Sequence, residues 1–139
     1  VSSANLYNAE VLGLATSLAA YPLGPDLPLT GSARAPTCGS TIELGLECDP
    51  AGKITRIGLL AQACAIGQAA AAIFAGAAPG LDRSGLSIAL AQIEQWLADG
   101  PLPDWPGFAA IAAARDYPAR HGAIMLAWRA ALVALAPPG

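Results

Sequence analysis

Residues 38–52, Cys38-Gly39-Ser40-Thr41-Ile42-Glu43-Leu44-Gly45-Leu46-Glu47-Cys48-Asp49-Pro50-Ala51-Gly52, decide the fold. Ile42, Leu44, Leu46 and Cys48 alternate with Thr41, Glu43, Gly45 and Glu47, the period of a strand with one buried face. Asp49 to Gly52 has the composition of a turn. Lys53 to Ala61, with β-branched Ile54, Thr55 and Ile57, follows as a second strand, so the stretch predicts an antiparallel hairpin. Residues 31–37, ahead of Cys38, supply a third strand.

Outward from the hairpin the pattern is helical. Residues 5–20 place Leu6, Val11, Leu14 and Leu18 on or near one face, with Asn5 as a candidate cap. Pro22, Pro25 and Pro28 make residues 21–30 a loop. After Cys64, the Ala-rich segment Ala65–Ala78 predicts a helix that ends at Pro79-Gly80. Asp82 caps a helix over 83–98, with Leu86, Leu90, Ile93 and Leu97 at helical spacing. A Pro-rich loop spans Asp99 to Pro106, and a short helix follows over 106–115. Pro118 opens a last helix to about Ala136, with Ile124, Ala127, Trp128, Ala131, Leu132 and Leu135 along one side. This order predicts an α+β domain with a small antiparallel sheet packed with several helices.

The chain has 139 residues, which predicts one domain, 1–139, able to bury a core without staples. It is 55% apolar and 12% charged, with 33 alanines and a single lysine, so it has too much to bury to be disordered. A net charge of −3 gives no basic face for nucleic acid. The longest apolar run, residues 63–79, is mostly alanine and interrupted by Gln68, which reads as a buried helix rather than a membrane span. The first residues show no basic and apolar signal segment. With three cysteines, an odd number, this favours the cytoplasm, where thiols stay reduced.

Phosphate-loop, dinucleotide-binding and nucleophile-elbow motifs are lacking, as is any Cys-x-x-Cys pair. Glu43 and Glu47 read as a solvated outer face, Cys48 as a small core hydrophobe, and the three tryptophans as core or interface anchors. Cys38 differs, because it sits in a Gly-containing bend. Cys64 differs too, because it falls where a helix begins, and a helix N-terminus favours a thiolate. An antiparallel hairpin brings these two flanks together. Two readings stand side by side: a metal or redox site, and two ordinary buried thiols. His121, the single histidine, reads alone as a surface or packing residue.

These stretches resemble a known family. Cys38-Gly39-Ser40-Thr41-Ile42-Glu43-Leu44, the hairpin, and Gln62-Ala63-Cys64-Ala65-Ile66 are similar to the iron–sulfur cluster assembly scaffolds IscU, SufU and the N-terminal domain of NifU. That pattern is Cys-Gly-Asp before a strand, a hairpin, then Gly-Cys-Ala-Ile opening a helix. Tyr117 to Trp128 looks like the family's final helix, and the helical insertion before it is closer to SufU than to IscU. Against this pattern Cys38 and Cys64 take the first two cysteine positions. The third falls on Ala123, the Asp two after the first Cys is Ser40, and the Gly before the second Cys is Ala63. The family's Pro-Arg-Asn near the N-terminus is Pro22-Leu23-Gly24.

The resemblance implies an IscU/NifU-like fold and a divergent iron–sulfur cluster assembly scaffold or sulfur-transfer protein working with a cysteine desulfurase and cluster acceptor proteins. The resemblance points toward a scaffold or sulfur acceptor rather than a catalyst, and leaves open whether the chain is an enzyme. Cys38 and Cys64 are then the sulfur acceptors and, with His121, candidate ligands for an iron–sulfur cluster or zinc, since soft thiolates suit both. On the same resemblance Gly39, Ser40, Arg120 and Ala123 are expected to line the site. A cluster bridging two subunits, with two thiolates from each, is a further arrangement, and a homodimer is compatible with the sequence. The alternatives are a metal-free interaction or regulatory module of the same pathway and a simple zinc protein. No nucleic acid or membrane partner is expected.

Overall fold

The computed structural model describes residues 6–137. Three antiparallel strands, β1 (Leu29–Arg34), β2 (Thr41–Cys48) and β3 (Ile54–Gln62), form a sheet in the order β1-β2-β3. The α-helices are α1 (Ala9–Ser17), α2 (Ala65–Ala77), α3 (Arg83–Leu97) and α4 (His121–Ala134). Helix α4 packs on β1 and β2, α2 packs on β3 and α4, and α1 and α3 flank this layer. The architecture is the α+β one that the sequence order predicts.

The hairpin forms because its alternation leaves no other face to bury. Leu44 pairs with Leu59 and Leu46 with Ile57, and Ile42, Leu44 and Leu46 are buried. Beneath the sheet Phe74, Trp105 and Trp128 pack together, Trp105 at 5.9 Å from Phe74 and 5.2 Å from Trp128 between ring centroids. Trp105 Nε1 donates to Ile73 O at 2.8 Å, which satisfies its polar end. Removing the fully buried Trp128 side chain would cost about 3–5 kcal/mol.

Several elements differ from the sequence reading. The first helix begins at Ala9, not residue 5, because the Asn8 side chain accepts from Val11 N at 2.9 Å and caps it there. Asn5, the expected cap, lies outside the described residues. The first strand is Leu29–Arg34 rather than 31–37, because residues 35–40 close into a bend. The expected short helix over 106–115 is a 3-10 segment, Phe108–Asp116, broken at Ile111. A 3-10 turn, Pro118–Arg120, precedes α4, so the last α-helix starts at His121 rather than Pro118.

The outer face of the sheet is not open along its whole length. Residues 21–28 leave the free edge of β3, where Leu59 N donates to Tyr21 O at 2.8 Å, and cross to β1. Gly45 and Gly58 are register partners under this crossing. A methyl group on either would meet Leu27 at 2.7 Å, so the paired glycines let the strap lie flat. Arg56 fastens it, donating to Asp26 at 2.9 Å and to Glu47 at 2.6 Å.

Cys48 is also not a full core residue. The ladder shifts register between Glu47 and Cys48, where Thr55 is the extra residue. The irregularity loosens the packing. Cys48 is half-buried and lines a concavity of about 350 Å³ with Leu29, Asp82 and Leu135. No helix among the described residues is long and apolar enough to cross a membrane.

Candidate functional site

Three chain segments meet at one end of the sheet. Thr41 pairs with Gln62 in the last row of the β2–β3 ladder, so Cys38 and Cys64 lie just beyond that row on either strand. The bend that carries Cys38 is closed by Ala35 N donating to Ser40 O and Gly39 N to Ala35 O, both at 2.8 Å. Gly39 makes the bend with φ 72°, a conformation that glycine enters without steric cost. Cys64 is the N-cap residue of α2, with extended backbone and no side-chain cap. Its own carbonyl accepts from Gln68 N at 2.9 Å, and Gln68 Nε2 donates to Ala63 O at 3.0 Å.

The start of α4 closes the third side. A methyl group on Gly67 would stand 2.9 Å from Ala63 Cβ and 3.2 Å from Ala123 Cβ, so Ala123 packs directly on the first turn of α2. A methyl group on Gly122 would meet Ala35 Cβ at 3.1 Å and Thr37 Oγ1 at 3.8 Å, so the same turn of α4 rests against the Cys38 bend. Ala123 is 1% exposed. The small residues are what allow the three segments to approach so closely.

Cys38 is exposed, and its Sγ lies 3.1 Å from Ser40 Oγ. The Ser40 hydroxyl and then the Ser40 backbone N–H hold the Cys38 thiol below the ordinary thiol range, and the nearby Arg120 guanidinium adds a smaller pull in the same direction. This is the environment of a nucleophilic, solvent-reachable thiol. Burial, followed by the charge of Asp49, pushes Cys48 up instead. Cys64 is partly exposed.

Arg120 is held by Tyr7, whose hydroxyl accepts from Nη2 at 2.8 Å. His121 is partly buried, with Nε2 at 2.7 Å from Arg115 O. A carbonyl only accepts, so Nε2 is the donor in this contact. Among the described residues no three His, Cys, Asp or Glu side chains stand together as a metal-holding group. Cys38, Ser40, Gly39, Arg120 and Ala123 therefore share one end of the molecule with Cys64, while His121 is not gathered with the two thiols into a three-donor set. Tyr7 was not legible as a site residue, because nothing in the periodicity of the first helix distinguishes a tether from a packing aromatic.

No family model matches the sequence, and no curated protein matches it. Solved structures do. The N-terminal part of a nitrogen-fixing NifU-like protein from Brucella abortus superposes with a TM-score of 0.84 at 25% identity, over 94% of this chain and 92% of that one. A protein named as an iron–sulfur cluster assembly scaffold for the SUF system, from the thermophile Fervidobacterium islandicum, superposes with a TM-score of 0.84 at 17% identity, over 96% and 99%. A protein called hypothetical matches with a TM-score of 0.72 at 24% identity, over 91% and 97%.

Proposed function

We propose that this chain, which belongs by its fold to the IscU/SufU/NifU-like family, is a divergent iron–sulfur cluster assembly scaffold or sulfur-transfer protein working at Cys38 and Cys64. The observation that supports this best is the meeting of the Cys38 bend, the Cys64 helix start and the Ala123 turn at one end of the sheet, with an acidified thiol exposed there. The family's chemistry needs such a thiol. The Cys38 thiolate attacks the outer sulfur of a persulfide carried by a cysteine desulfurase. A bond forms between Cys38 Sγ and that sulfur as the donor's S–S bond breaks, and the donor's cysteine leaves as a thiolate. Cys38 then carries the sulfane sulfur, with no outside oxidant or reductant. The Ser40 hydroxyl and, less, the Arg120 guanidinium favour the charged form of the attacking sulfur.

An iron–sulfur cluster is cargo in this reading, and two thiolates are what one chain offers it. A second subunit with its own two thiolates would complete the usual four sulfur ligands. A resident zinc ion does not fit one chain, because structural zinc takes four donors and no group of three stands together among the described residues. The work belongs in a reducing compartment such as the cytoplasm.

The test is to incubate the protein with an active cysteine desulfurase and L-cysteine, then locate sulfane sulfur by mass spectrometry. Labelling of Cys38, lost in Cys38→Ser and kept in Cys48→Ser, is the expected result. If the wild-type chain takes up no sulfur while the desulfurase is turning over, sulfur transfer is excluded. One observation favours a second reading, a metal-free interaction or regulatory module of the same pathway: the third cysteine position is filled by a buried methyl group, Ala123. That reading predicts binding to the desulfurase that survives Cys38→Ser and Cys64→Ser together.

A further inference from the structure

The outer face of the sheet treats its charges differently at its two ends. Under the strap, Arg56 is paired with both Glu47 and Asp26. Beyond the strap, Arg34 and Glu43 are exposed and make no ion pair or hydrogen bond with any described side chain. The ladder fixes their relation. Arg34 pairs with Thr41 and Ser32 with Glu43, so Arg34 and Glu43 are diagonal neighbours on adjacent strands, roughly 7–8 Å apart and somewhat less between Cβ atoms. Between them is a concavity of about 290 Å³, also lined by Thr41, Gln62 and Leu60. Leu60 is 50% exposed there.

We infer that this cleft binds the zwitterion of a free, small α-amino acid. Its two opposite charges face the same space without meeting each other. A ligand that joins a carboxylate to an ammonium on neighbouring atoms satisfies both at once, the carboxylate on the Arg34 fork and the ammonium on Glu43. The Thr41 hydroxyl and the Gln62 amide offer further hydrogen bonds, and Leu60 offers apolar surface to the ligand's side chain. The volume lies just below the usual range of small-molecule sites, which limits the ligand to a small side chain. The row Arg34–Thr41–Gln62 is also the last before the two cysteine segments, so the cleft adjoins the candidate site along the chain. The inference stands without the sulfur-transfer reading, because none of the cleft residues is a thiol.

Calorimetric titration of the purified protein with glycine, alanine and cysteine tests it, with propionate and ethylamine as ligands that carry one charge each. Saturable binding of the amino acids, at least about tenfold tighter than either singly charged analogue, is expected. Arg34→Gln and Glu43→Gln should each weaken it about tenfold. Both side chains are exposed, so circular dichroism should show both variants folded. Cys38→Ser should bind as wild type does, which separates this cleft from the thiol chemistry. Failure of all three amino acids to bind, binding of propionate as tight as that of alanine, or binding indifferent to both charge-removing variants would each overturn the inference. The second of these would identify Arg34 as a simple anion contact.

Discussion

Cys38 and Cys48 flank the same strand, one three residues before β2 and one at its last residue, and they are opposite in character. Cys38 stands in an open bend, beside a hydroxyl, a backbone N–H and a guanidinium that all favour its charged form. Cys48 points toward the core at a ladder irregularity, where burial and Asp49 favour the neutral form. Strand parity turns the Cys48 sulfur inward, the bend leaves the Cys38 sulfur outside the strand, and local donors favour the thiolate only at Cys38. Counting cysteines therefore says little about chemistry until each is placed in its register.

The strongest way to break this contrast is competitive alkylation at pH 7 with peptide mapping. Cys38 should react at least several-fold faster than Cys48, because its thiol is exposed and lowered while that of Cys48 is half-buried and raised. Equal rates in the folded protein would sink the contrast, and equal rates in denaturant are expected. A finer cut uses Ser40→Ala, which removes the largest cause of the Cys38 shift. Alkylation of Cys38 should slow several-fold at pH 7 and be unchanged at a pH where every thiol is ionised. Arg120→Gln should slow it less, because the guanidinium is a lesser cause, and raising the salt concentration in the wild-type protein should mimic the variant.

The smallest effect is on stability. The folded-state thiol of Cys48 is raised above its unfolded value, so its contribution is complete below the ordinary thiol range and is lost as pH rises through and above it. Thermal melts from pH 7 to pH 10 should fall less steeply in Cys48→Ala than in wild type. A steeper fall in the variant would give the opposite sign and remove the argument for Cys48.

Much of the fold was legible because its strongest signals are local. The Ile42–Cys48 alternation, the Asp49–Gly52 turn and the Asp82 cap each act within a few residues, and each is found where the sequence puts it. What was not legible depends on distant partners. Nothing in Pro22–Pro28 announces that it lies over Gly45 and Gly58, because that contact joins residues on separate elements. The half-exposure of Cys48 follows from a register shift that alternation alone cannot reveal. At the site, the flanking positions of Cys38 and Cys64 follow from hairpin geometry. The acidifying partner of Cys38 is a side chain two residues away whose orientation only the closed bend determines. His121 was singled out for its chemistry, but the 3-10 turn before α4 directs its Nε2 to Arg115 O.

The tight meeting of Ala63, Gly67 and Ala123 has a consequence for redesign. One methyl group added at Gly67 would stand too close to both Ala63 and Ala123, and Ala123 is itself buried. A thiol introduced at 123 would add volume beside that contact, and extra volume in a packed site costs stability. Engineering a third sulfur ligand into this chain is a repacking problem before it is a problem of coordination chemistry.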